Sequence, residues 1–152
     1  SEFIGTNFRK SNFKNATFEN TIFDSAKLQD VDFKDAKFTN TIFVSTDISQ
    51  AKNLDIDNPG IRIFDEMPKI EISEELKNAA FNTFNNKYIK ASRILDTKDG
   101  DLNYLNIMIL LENFDEETLI KGLNFITNEF NREFYTLSYI IKFIKSMPAS
   151  EK

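Results

Sequence analysis

The chain contains no cysteine, no histidine and no tryptophan among its 152 residues. Without cysteine no disulfide can form, so nothing in the covalent chemistry points to an oxidising compartment, and a reducing cytoplasm is the expected location. Without His or Cys, the usual nucleophile–base pairs and nearly all transition-metal sites are excluded. Glycine and proline are scarce, at 4 and 3 residues, and neither a G-x-G-x-x-G fingerprint nor a P-loop occurs. No apolar run approaches the roughly 18 residues of a membrane span, and the first residues lack a signal-peptide pattern. No membrane association is expected. Basic charge is also in short supply: 19 Lys and Arg stand against 24 Asp and Glu, a net charge of −5. Residues 1–55 carry 7 basic and 8 acidic groups, and residues 56–152 carry 12 and 16. Such a balance gives no counterion-release drive, so direct nucleic-acid binding is not expected.

Phenylalanine, by contrast, is abundant, with 16 residues. From the start of the chain to about residue 51, one large apolar residue returns every five positions. Phe3, Phe8, Phe13, Phe18, Phe23, Leu28, Phe33, Phe38, Phe43 and Ile48 form that row. Two residues before each stands a small or slim one, from Ser1, Thr6, Ser11 and Ala16 through to Thr46. A period of five fits neither the 3.6 of an α-helix nor the 2 of a strand. It is the mark of a repeat architecture.

A longer period lies inside the short one. Residues 12–23 match residues 32–43 at 8 of 12 positions, an offset of 20 residues or four pentads. A backbone that turns one corner per pentad closes a square coil after four, so residues 20 apart would stack at roughly the 4.8 Å spacing of paired strands. Phe3, Phe23 and Phe43 then form one interior column, and Phe8, Leu28 and Ile48 a second. Phe13 over Phe33 and Phe18 over Phe38 complete the square. Ten pentads make two and a half coils, roughly 12 Å of stack. The small residues avoid overpacking at the corners.

These units resemble the pentapeptide-repeat family, whose repeat is written A(D/N)LXX with Leu or Phe at the centre. Ala16-Thr17-Phe18-Glu19-Asn20, Val31-Asp32-Phe33-Lys34-Asp35 and Ala36-Lys37-Phe38-Thr39-Asn40 carry the resemblance. It implies a right-handed quadrilateral β-helix, and it covers about a third of the chain. The side that carries Phe3, Phe23 and Phe43 also shows Ile4, Ile22, Ile42 and Val44 on its outside, whereas the other three sides show only polar residues. Four stacked aliphatics make a candidate interaction face, covered either by this chain's own helices or by a partner. No cap precedes the first pentad, which suggests further repeats upstream or end-to-end association.

The beat fails at Asn53, and Asp57-Asn58-Pro59-Gly60 reads as a turn. Ile61–Phe64 and the Ile70-Glu71-Ile72 stretch read as short extended pieces, a last rung over the coil end. Residues 1–55 are thus assigned to the β-helix, 56–72 to a connecting and capping segment, and 73–148 to a small helical bundle. The fold class is β + α. Ser73 caps a first helix in which Leu76, Ala80, Phe84, Tyr88, Ala91 and Leu95 recur at helical spacing. A second helix is predicted from about Leu102 to Asn113, and a third behind Asp115 with Glu116 and Glu117 in its first turn. A fourth, over about 128–147 and either separate from the third or continuous with it, places Phe130, Phe134, Leu137, Ile141 and Ile144 on one stripe, a candidate helical contact.

The stretch from Asp96 to Asn103 invites a calcium-loop reading. An EF-hand begun at Asp99 would put Tyr104 where Gly is needed and Leu110 where Glu is needed, so a solvated loop is expected. No catalytic residues, cofactor or metal ligands are assigned. The expected function is a non-catalytic protein–protein interaction or scaffold module of a bacterial pentapeptide-repeat protein, with the helical part capping the solenoid and mediating self-association, such as a homodimer, or partner binding. Two alternatives stand beside it. The resemblance admits a DNA-mimicking regulator or protector of DNA gyrase, of the Qnr type, against which the near-even charge and short rod argue. The pairing of a repeat scaffold with a helical domain also admits an immunity or effector-associated module of a bacterial conflict system.

Overall fold

The computed structural model describes residues 1–133 and 135–148. The chain divides into two units, Ser1–Met67 and Pro68–Lys152.

The first unit is a four-sided β-solenoid of about three coils. Its first side is a parallel sheet in the order β1-β3-β5-β6, formed by β1 (Glu2–Ile4), β3 (Ile22–Asp24), β5 (Thr41–Val44) and β6 (Ile61–Phe64). The adjoining side, one pentad earlier, is the parallel pair β2 (Thr17–Glu19) with β4 (Lys37–Thr39). Isolated bridges Asn7↔Lys27, Asn12↔Asp32 and Asp32↔Lys52 hold the remaining sides. Phe3 pairs with Phe23 and Phe23 with Phe43. The 20-residue offset of the sequence is therefore the height of one coil.

The corners explain the composition of the pentads. The last residue of each of nine successive units, from Gly5 through Lys10, Asn15 and Asn20 to Ser45, has φ between 47° and 64°. Asn, Asp and Gly tolerate this left-handed region best, and five of the nine are Asn or Asp. The small position two residues before the core residue does more than avoid crowding. Thr46 donates its hydroxyl towards the carbonyls of Val44 (2.9 Å) and Phe23 (3.2 Å), and its oxygen accepts from the Ala26 amide at 3.1 Å. Inside, the rings stack up the columns: Phe23 and Phe43 lie 4.7 Å apart and nearly parallel, as do Phe18 and Phe38 at 5.4 Å. Phe23, Phe33, Phe43 and Leu28 are fully enclosed, and the rings of the first coil are only partly so.

The beat breaks at Asn53 but the ladder survives. Asn53 takes φ 59° and donates its side-chain amide to Asp32 at 2.9 Å. Leu54, one position late, still packs against the core. A turn closed by Gly60 then brings Ile61–Phe64 onto β5, with Ile63 opposite Phe43. Gly60 is required there because a Cβ would stand 2.0 Å from the Phe38 carbonyl oxygen. The expected last rung is thus present at residues 61–64, whereas residues 70–72 form no strand.

The second unit is helical: α1 (Glu74–Asn82), α2 (Lys87–Ala91), α3 (Tyr104–Asn113), α4 (Glu116–Glu129) and α5 (Leu137–Ser146). α1 packs on α4, and α3 touches both α4 and α5. Ser73, Asn103, Asp115 and Thr136 cap α1, α3, α4 and α5 with their side chains, and Ser73 also donates to Glu116. Two expected helices differ from what is seen. The first does not run to Leu95; it ends in a 3-10 turn at Thr83–Asn85, and Asn86 restarts it as α2. Asn86 is extended, and its carboxamide oxygen accepts from the Tyr88 and Ile89 amides. The expected fourth helix begins only at Leu137, because residues 130–133 and 135–136 are not helical. There the Tyr135 hydroxyl accepts from the amides of Asn131 (3.0 Å) and Arg132 (2.9 Å), satisfying groups that a continuous helix would have paired internally.

Candidate interaction surfaces

The aliphatic face of the solenoid is built by register. Ile22 and Ile42 are Cα partners on adjacent strands, and Ile4 stands beside Asp24, which stands beside Val44. Of the four aliphatics, only Ile22 and Ile42 stack directly, since Asp24 separates Ile4 from Val44. Their environments differ sharply: Ile22, Ile42 and Val44 are 8%, 1% and 0% exposed, whereas Ile4 is 56% exposed. Only Ile4 of the four lies open.

The candidate helical contact is likewise mixed. Phe130, Leu137 and Ile144 are buried and Ile141 is half-buried. Phe134 lies outside the described residues. Phe130 does not share a helix with the others, since it terminates α4. The open apolar surface of this unit lies elsewhere, at the edge where α4 meets α5. Phe125 is 44% exposed and stacks on Phe143 at 5.8 Å. Phe143 meets Phe130 edge-on at 5.1 Å, and Tyr139 lies one turn before it. The Arg132 guanidinium sits over the Tyr139 ring and donates to its hydroxyl. The sequence held a signal for this cluster, the i, i+4 pair Tyr139 and Phe143, which lies beside the stripe that runs from Phe130 to Ile144.

A second open feature belongs to the solenoid. A groove of about 470 Å³ is lined by Ser45, Thr46, Asp47, Ile48, Ser49, Ile63 and Asp65. Asp47 caps the short 3-10 turn Ile48–Gln50, accepting from the Ser49 amide at 3.0 Å and from its hydroxyl. Ile63, the top of a core column, is 37% exposed at the groove's edge.

The 96–103 stretch is a closed turn. Asp96 bridges to Leu102, the Thr97 amide donates to the Asp101 carbonyl at 2.8 Å, and Gly100 has φ 80°. Asp96 is buried and faces Arg93 at 3.5 Å. Among the described residues, no group of three or more His, Cys, Asp or Glu comes together to hold a metal ion. Among those same residues, no helix is long and apolar enough to cross a membrane.

Residues 1–40 and 23–52 match the family described as pentapeptide repeats, in 8 copies. The N-terminal segment is therefore a pentapeptide-repeat solenoid, and the helical region matches no family. No curated protein matches the chain, and no solved structure does.

Proposed function

We propose that this chain is a non-catalytic protein–protein interaction module, a stiff solenoid joined to a helical unit that supplies a contact surface for a partner or for a second copy. The observation that carries the reading is the open aromatic edge of α4 and α5. A stacked, half-exposed Phe pair beside Tyr139 and Arg132 has the composition of an interface centre, where aromatic residues and Arg concentrate. Such a cluster is costly to leave in water. The pentapeptide-repeat match supports the same reading, because a ring-filled solenoid is a scaffold rather than a reaction vessel. Self-association is the simplest form this contact can take.

The test places a photo-cross-linking amino acid at position 125 and, as a control, at position 14 on a polar side of the solenoid. A discrete adduct at 125 and none at 14 is expected. If the adduct is with a second copy, light scattering should show a dimer that Phe125→Ala with Phe143→Ala converts to monomer while the circular dichroism is retained. No adduct at 125, or the same adducts at both positions, removes the surface from consideration.

A further inference from the structure

The top coil of the solenoid lacks one side. β6 carries the Phe3, Phe23 and Phe43 column up to Ile63, but among the described residues no strand or bridge lies above Ile48, the last residue of the neighbouring column. Ile48 is consequently half-buried, whereas Leu28 beneath it is 1% exposed. The groove of about 470 Å³ is this vacant place.

Three features of the vacancy specify what fits it. Its floor is apolar, formed by Ile48 and Ile63, the positions on which a further coil would set its own core side chains. Its wall offers backbone pairing. Thr41 donates to the Gly60 carbonyl and Ser45 to the Phe64 carbonyl, so these carbonyls face β5. Along a strand the pairing direction alternates, which turns the N–H and C=O of Ile63 away from β5. Its rim is acidic: Asp47 and Asp65 line it, no Lys or Arg does, and no cation pairs with either carboxylate among the described residues.

The geometry points to this groove as the docking site for an extended segment of another protein that carries one large apolar side chain flanked by Lys or Arg. The apolar side chain covers Ile48 and Ile63, the segment's backbone pairs with the free groups of Ile63 in the manner of an added strand, and its cations meet Asp47 and Asp65. Uncompensated carboxylates select a basic segment over an acidic one. The inference rests on the interaction-module reading but uses a different unit of the chain.

A displayed library of random heptapeptides, panned against the full chain, supplies the probe. The enriched peptides, synthesised with a fluorescent label, are then titrated by anisotropy against the wild type and against Asp47→Asn with Asp65→Asn. Asn keeps the capping geometry at position 47, so the variant should fold. Expected are enriched sequences with an aromatic or aliphatic residue between basic ones, and an affinity about tenfold weaker for the double variant, with Asp24→Asn unchanged. Enrichment of acidic or purely polar peptides overturns the inference, as does equal affinity for the double variant. Peptide binding here and cross-linking at position 125 are separate readouts, so either reading can fail while the other stands.

Discussion

Nine consecutive pentads place their last residue in the left-handed region, and that single backbone demand explains much of what stands at the corners. Asp35 is an exposed member of the set, with φ 57°. Asp35→Val puts a β-branched residue where its Cβ is crowded, and stability should fall by about 2 kcal/mol, read from chemical denaturation, while Asp35→Gly should leave the midpoint nearly unchanged. Asp32 poses an electrostatic question at the same scale. The Asn53 side-chain amide holds its carboxyl below the ordinary value, the Lys34 amide adds to this, and the Lys14 ammonium adds less. Asp115, capping α4, is lowered by Thr118 in the same way. A folded value below the unfolded one means that the ionised group stabilises the fold. That contribution is complete above the unfolded value and is lost as pH falls through the folded one. Below about pH 4, the thermal midpoint of Asp32→Asn should therefore vary less with pH than that of the wild type. Equal slopes would show that Asp32 contributes nothing.

Among the elements, the helical breaks show where local pattern and tertiary demand part. The apolar spacing from Leu76 to Leu95 describes one helix, yet Asn86 interrupts it. Its side-chain NH2 donates to the carbonyls of Phe130 (2.8 Å), Thr127 (3.0 Å) and Ile126 (3.4 Å), at the C-terminal end of α4. One side chain thus starts α2 and closes α4. Asn86→Ala should cost about 3 kcal/mol, combining a lost cap with buried carbonyls left unpaired. Asn86→Asp keeps the cap but faces a carboxylate to three carbonyl oxygens, so it should rescue little. Rescue to wild-type stability by Asp would mean that only the capping matters. Nothing in the spacing of apolar residues announces this bond, because its partners lie 40 or more positions away. The caps, by contrast, were legible: Ser73 and Asp115 stand where expected, since a cap is a local bond.

For the molecule as a whole, the aliphatic side of the solenoid matters most, because three of its four outward aliphatics are buried. Ile22→Lys with Ile42→Lys would set two ammonium groups where exposure is 8% and 1%, and loss of the folded signal is expected in circular dichroism at room temperature. Ile4→Lys, at a position 56% exposed, should change stability by less than about 0.5 kcal/mol. A double variant that stays folded would show that these side chains can be wetted at little cost.

The five-residue beat and its 20-residue echo were enough to determine the solenoid, its interior columns and the pairing of Ile22 with Ile42 on its outside. They suffice because a repeat couples only neighbouring coils, so each contact recurs at a fixed offset and is written into the chain many times. The return of Ile63 to the column lay in that same offset from Phe43, although the broken beat at Asn53 concealed it. Tertiary structure decided what is written once. It chose which aliphatics are enclosed, broke the helices at Asn86 and after Glu129, gathered Phe125, Tyr139 and Phe143 at one edge, and left Ile48 and Ile63 with no coil above them among the described residues. Each of these depends on a single long-range contact or its absence, and one sequence read alone carries no second copy of it.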